Sequence, residues 1–159
     1  MPGEPLIDPT KLDFSRPLFN RGAIEALVPH RGAMLLLDAV LSLDVPGRLA
    51  IGYRDCRDDE FWTAGHFPGN PLLPGVLIAE ATAQLALVYN KTALPDLKNR
   101  LWVLAGLDQV RFRGMVRPGD RLVLAVRALH LTPRGSRVYS QAYVGDKCIA
   151  EVEILAIPI

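Results

Sequence analysis

Cysteine is scarce: the chain of 159 residues holds two, Cys56 and Cys148, far apart and in no CxxC or Cys/His spacing. Neither a zinc site nor a disulfide framework is expected, and both thiols are read as reduced. There is no phosphate-cradling GxxxxGK[ST] loop, no GxGxxG fingerprint and no internal repeat, which removes the commonest nucleotide-dependent chemistries. The expectation is no cofactor and no metal. Long hydrophobic runs are missing too: Glu80 interrupts the longest one, and nothing else approaches the ~20 apolar residues a membrane helix needs. The first twenty residues carry four prolines and mixed charges but no continuous apolar segment. Residues 1–20 therefore read as an extended, loosely held arm and not as a signal peptide. A net charge of +1 gives no overall pull on a partner. A cytoplasmic location, with no membrane contact, is the default.

What is present is an ordinary core for one domain over residues 21–159, since half of the chain is hydrophobic and about a fifth is charged. Its centre is the stretch GHFPGNPLLPGVLIAEATAQ, residues 65–84. A loop carrying His66 is stiffened by Pro68, Pro71 and Pro74 and released at Gly75 into an apolar run from Val76 to Tyr89, which predicts a buried helix. That run contains one carboxylate, Glu80. On a helix apolar nearly all round, a charge costs free energy unless it is paired, solvated or protonated. Val76, Glu80 and Gln84 share one face as a narrow polar stripe, while Leu77, Ile78, Ala81, Leu85 and Val88 form the face for a sheet. At the helix start the free N–H groups of Gly75 and Val76 and the helix dipole favour negative charge.

Elsewhere the pattern reads as strands. A short helix over NRGAIEALVPHRG is stopped by Pro29, and Met34 to Leu43 follows as a buried strand, then a Pro46-Gly47 turn and an antiparallel partner from Arg48 to Cys56. Four further strands lie beyond residue 100, separated by Pro118-Gly119, Pro133 to Gly135 and Gly145-Asp146. About six antiparallel strands curling around one helix make an α+β domain. Asp38 reads as a structural hydrogen-bonding carboxylate, His30 as a capping or packing histidine, and His130 as a surface residue.

The stretches VPHRGAMLLLD, GHFPGNPLLPGVLIAEATAQ, LDQVRFRGMVRPGD and AEVEI resemble, in order, blocks of the FabZ-type 3-hydroxyacyl-[acyl carrier protein] dehydratases, which have the hotdog fold. Coverage runs from about Arg21 to Ile157. The resemblance implies that His66 is the catalytic histidine and Glu80 the catalytic acid, and that the backbone N–H of Gly75 holds a thioester carbonyl. It also implies a homodimer with shared active sites; a trimer of dimers stays open. Glu rather than Asp at position 80 favours the branch that dehydrates without moving the double bond. The sequence departs from the family where Tyr-Pro-Phe commonly follows the PHR: Gly32, Ala33 and Met34 stand there.

The residue types suit this chemistry. A neutral imidazole titrating near neutrality is a suitable base for a proton beside a thioester carbonyl, and preorganised N–H donors at Gly75 and Val76 stabilise the resulting oxyanion. A carboxyl kept protonated by burial can donate to the departing hydroxyl, so the apolar setting predicts a raised pKa for Glu80. Two roles stay open for it, proton donor or orienter of the hydroxyl. Gln84 is expected to hold Glu80 or a water, with Phe61, Trp62, Phe67 and Pro74 as acyl-pocket candidates.

Residues 98–137 hold nine Lys and Arg against Asp108 and Asp120, a balance of +7 that leaves −6 for the remainder. This asymmetry points to an acidic partner. No stacking platform or nucleic-acid motif accompanies it, so an acyl carrier protein docking on Arg111, Arg113 and Arg117 is expected and nucleic acid is not. Two alternatives stand beside the dehydratase of fatty-acid or related lipid synthesis. One is a hotdog thioesterase or a dehydratase of a specialised lipid or polyketide pathway, and the other is a non-catalytic acyl-binding hotdog module.

Overall fold

The computed structural model describes residues 3–159. Strand β1 (Phe19–Asn20) leads into helix α1 (Arg21–Glu25), and strands β2 (Ala39–Asp44) and β3 (Leu49–Asp55) form a hairpin. Helix α2 (Gly75–Ala93) follows a long loop. Strands β4 (Trp102–Phe112), β5 (Arg121–Thr132), β6 (Gly135–Val144) and β7 (Lys147–Pro158) complete one antiparallel sheet in the order β1-β2-β3-β5-β6-β7-β4. The sheet has seven strands, against about six expected. The additional one is the two-residue β1, too short for alternation to show in sequence.

Helix α2 lies on the inner face of the sheet. Ile78, Ala81, Leu85 and Val88 are all buried there among Ala50, Leu122, Leu124, Val126 and Ala142. The helix approaches closely at Gly52, where a Cβ would stand 2.8 Å from the carbonyl oxygen of Ala39 and 3.2 Å from Leu85. Only a residue without a side chain lets helix and sheet meet there.

Two expectations change. The strand foreseen from Met34 begins at Ala39, because Gly32–Met34 forms a 3-10 turn and the next residues spend their backbone groups on side chains. Arg21 donates to the carbonyls of Leu35 and Leu37, and Gln84 bonds to the Leu36 N–H and the Met34 carbonyl. Those groups are then not free to form a ladder. From Gly3 onward the arm is also not loosely held, its first two residues lying outside the described ones. Leu6 is buried on the outer face of the sheet beside Ile51, Val123, Ala125 and Tyr143, with Ile7, Leu12 and Phe14 packed against them. The Leu6 N–H donates to Gln141 Oε1 at 2.8 Å and that of Gly3 to Glu151 Oε1 at 2.6 Å. Apolar burial outweighs what its prolines suggested. Asp38 has a structural hydrogen-bonding role: it accepts the Asp55 N–H at 2.7 Å between Arg21 and Arg57.

Strand β4 is an edge strand and carries exposed Leu104, Leu107 and Phe112 along its length. No helix among the described residues is long and apolar enough to cross a membrane.

Candidate active site

His66 is placed by its own loop. Its N–H donates to the Trp62 carbonyl at 2.8 Å, its carbonyl accepts the Leu72 N–H at 2.7 Å, and its Nδ1 lies 2.8 Å from the Leu72 carbonyl oxygen. A carbonyl only accepts, so Nδ1 must carry the proton, and the neutral ring presents a bare Nε2. The Phe67 ring stacks on the imidazole. The loop is tied to the β4–β5 connection by the Leu73 N–H on Val116 and by Arg117 on the Asn70 side-chain oxygen.

At the start of α2, Pro74 supplies the carbonyl for the N–H groups of Leu77 and Ile78. Among the described residues, those of Gly75 and Val76 have no acceptor. A Cβ on Gly75 would stand 3.0 Å from the Phe112 ring, so the ring closes over a backbone that a side chain would push away. This leaves two oriented donors at a helix N-terminus, the arrangement that receives negative charge.

Glu80 lies on the next turn and a half, partly exposed, and is not unpaired. Its Oε1 accepts from Gln84 Nε2 at 2.8 Å and lies 3.2 Å from His30 Nε2. Its Oε2 has no hydrogen-bond partner among the described residues. Burial pushes this carboxyl up, but the hydrogen bonds of His30 and Gln84 and the charge of His30 outweigh it, and the net shift is downward. The expected rise is therefore corrected: the group is a carboxylate at neutral pH, with one oxygen anchored and the other free. His30, read in sequence as a capping or packing residue, supplies this contact. The signal was its place in the VPHRG block, but a pairing across fifty residues has no local signature.

Gln84 is fully engaged, since it also holds the Leu36 N–H at 2.8 Å and the Met34 carbonyl at 2.7 Å. Trp62 is buried in the core with its indole N–H on Glu60, whereas Phe61 and Phe67 are exposed and Pro74 is half-buried. Phe61 borders a cavity of about 430 Å³ that Gly32 and Ala33 also line. Arg111 and Arg117 are exposed, while Arg113 pairs with Glu151. Among the described residues, no hydrogen bond or ion pair joins His66 to Glu80 within the chain. No three His, Cys, Asp or Glu side chains among them gather to share a metal ion.

A family model for the FabA-like domain matches residues 28–153. A 3-hydroxyacyl-[acyl-carrier-protein] dehydratase FabZ of Moorella thermoacetica is 43% identical over 133 residues, covering 84% of this chain and 92% of the relative. The chain belongs to the FabZ-type branch of the FabA-like family. The FabZ of Chlamydia trachomatis serovar L2 is 36% identical over 140 residues, covering 87% of this chain and 92% of that one. Among solved structures, the dehydratase heterocomplex ApeI:P from Xenorhabdus doucetiae aligns with a TM-score of 0.71 at 17% identity, over 86% of this chain and 90% of that one. At such identity the match speaks for the fold alone, and it agrees with the FabZ-type hotdog architecture of one long helix on an open antiparallel sheet.

Proposed function

We propose that the chain converts 3-hydroxyacyl thioesters on acyl carrier protein into trans-2-enoyl thioesters, in fatty-acid or related lipid synthesis. The observation that carries this reading is the bond from His66 Nδ1–H to the Leu72 carbonyl, which leaves Nε2 as a fixed base in the same loop-and-helix unit as two unfilled oxyanion donors. In the proposed reaction Nε2 takes the proton from C2, and the charge that develops on the thioester oxygen is met by the N–H groups of Gly75 and Val76. As C2=C3 forms, the C3–O bond breaks. Because Glu80 is held as a carboxylate, it has no proton of its own to give at neutral pH. Its free Oε2 accepts from the 3-hydroxyl and orients it, and the proton now on His66 returns to that oxygen, which leaves as water.

We further propose that two chains share each site, His66 from one and Glu80 from the other. Two features support it: these residues do not touch within one chain, and β4 leaves an edge with Leu104, Leu107 and Phe112 exposed. A second copy pairing on that edge would bury both backbone and apolar groups. A cytoplasmic setting suits an enzyme whose Cys56 and Cys148 are free thiols.

Incubation with 3-hydroxyacyl thioesters, followed by ultraviolet absorbance, should show reversible appearance of the conjugated enoyl product. Thiol release instead would identify a thioesterase, and no reaction an acyl-binding module. Refolding His66→Ala together with Glu80→Gln chains should restore about a quarter of wild-type activity if sites are shared and chains pair at random. No recovery at any mixing ratio would place both residues of a site in one chain.

A further inference from the structure

Glu151 is 6% exposed on the outer face of the sheet, and the proposed reaction makes no use of it. Its Oε1 accepts from the Gly3 N–H of the arm at 2.6 Å, from the Tyr139 hydroxyl and from Gln141 Nε2, while its Oε2 pairs with Arg113. For stability alone an apolar group would serve such a position as well, since a buried ion pair seldom repays its lost hydration. What the pair does is fix a point on the chain. Arg113 directly follows Phe112, the last residue of β4, and neighbouring strand residues point to opposite faces. Phe112 stands opposite Ala150, a residue of the core, and so lies on the inner face with α2, where its ring packs on Gly75. A second device aims the ring. Between Asp108 and Arg111 the register with β7 shifts, and Gln109 there takes a positive φ of 53°. Such a bulge bends a strand and redirects the side chains after it.

We infer that Glu151 is a positioning residue for the oxyanion donors, acting through Arg113 and Phe112, an inference that rests on the dehydratase reading of those donors. The ion pair on the outer face holds the end of β4, and the ring on the inner face fixes the backbone of Gly75 and with it the direction of its free N–H. A donor already aimed where charge develops needs no reorganisation during the reaction. The same stretch of chain supports the base. The Arg113 N–H is anchored on the Ile149 carbonyl at 2.7 Å, and a little further along the Val116 carbonyl takes the Leu73 N–H at 2.8 Å, next to the Leu72 carbonyl that orients His66. Glu151 thus ties the N-terminal arm to both halves of the candidate site without touching either.

The test follows Gly75 both directly and through turnover. Protons near an aromatic ring feel its field, so in glycine-labelled protein the Gly75 Hα resonances report the Phe112 ring by magnetic resonance. In Glu151→Gln, which keeps the shape and removes the charge, these resonances should move most of the way to their position in Phe112→Leu. On a 3-hydroxyacyl thioester of a short thiol, Glu151→Gln should lower kcat by ~10-fold and leave KM within about 2-fold, the pattern of support felt only in the transition state. Added to Phe112→Leu, it should lower kcat no further, because both changes release the same ring. Should Glu151→Gln fail to fold, Arg113→Gln reads the same resonances and the same rates. A variant that loses thermal stability while kcat and the Gly75 resonances keep their wild-type values makes the pair merely structural and overturns the inference. A full further loss of kcat in the double variant overturns it too. If the wild type forms no enoyl product from any 3-hydroxyacyl thioester, the dehydratase reading fails, and the Gly75 resonances still decide whether Glu151 places that backbone.

Discussion

His66 and Glu80 stand fourteen residues apart and are secured by opposite means. His66 is fixed by backbone groups of its own loop, the carbonyls of Trp62 and Leu72, so a few consecutive residues contain both the side chain and its support. Glu80 is fixed by side chains: Gln84 one turn on, and His30 fifty residues earlier in sequence. Gln84 in turn is anchored on Met34 and Leu36. A loop-held base can be kept by a short motif, whereas a helix-held acid depends on the chain returning correctly from elsewhere. The base should therefore tolerate distant substitutions that move the acid.

The largest effect expected is loss of the reacting groups themselves. His66→Ala and Glu80→Gln should each lower the rate of enoyl formation by ~100-fold or more, with circular dichroism unchanged. Retained turnover in either variant would end the proposed assignment for that residue.

Next in size comes the support. Gln84→Leu removes the anchor of Glu80 Oε1 and strands the Leu36 N–H and Met34 carbonyl, at ~1–3 kcal/mol for each group left buried and unpaired. The urea midpoint should fall accordingly, and turnover should drop by ~10-fold. A fully stable, fully active Gln84→Leu protein would show that the carboxylate does not depend on the Gln84 bridge to Met34 and Leu36 and would leave His30 as its one distant support.

How much of this was legible follows from the same contrast. The loop and α2 were readable because Pro68, Pro71, Pro74 and Gly75 punctuate a local pattern. The polar pair Glu80 and Gln84, on the same face as Val76, was readable from helical spacing, and the antiparallel strands from alternation and turn residues. His30 was misread because nothing within a helical turn of it predicts a carboxylate as neighbour. The start of β2 was misplaced for a related reason: Arg21 and Gln84 take backbone groups of residues 34–37 that sequence alone assigns to a ladder. The arm was judged by its prolines and not by Leu6 and Phe14, whose burial depends on an outer sheet face visible only after folding.

A subtler effect concerns acid. The folded-state pKa of Glu80 is depressed, so its pairing contributes stability that is fully present above the unfolded value, ~4.3 for an unperturbed glutamate. That contribution is lost as pH falls through the lower folded value. In a His30→Gln background, where no imidazole faces the carboxyl, the gap in urea midpoint between Glu80 and Glu80→Gln proteins should therefore be constant near neutral pH and change only below ~4.5. A gap that changes between pH 6 and 8 in that background, where an amide replaces the imidazole that faces Glu80, would mean that Glu80 titrates near neutrality. The carboxyl would then be able to donate a proton itself, and the orienting role would give way to the donor role.

The smallest effect separates two arginines that the sequence treats alike. Arg113 is paired with Glu151, which also accepts from Gly3 and Tyr139 beneath the N-terminal arm. Arg117 is exposed and touches Asn70 in the His66 loop. If the basic segment receives an acidic carrier, Arg117→Glu should weaken use of a carrier-bound 3-hydroxyacyl substrate by ~3- to 10-fold at low salt, and use of the same acyl group on a short thiol by less. The difference should shrink as the Debye length falls toward ~8 Å at physiological ionic strength, since a rim charge acts mainly through long-range attraction. Arg113→Glu instead places a like charge beside Glu151, so it should lower thermal stability and affect both substrates equally. Equal losses on both substrates from Arg117→Glu at every salt concentration would remove the docking role from this face and leave both arginines as structural.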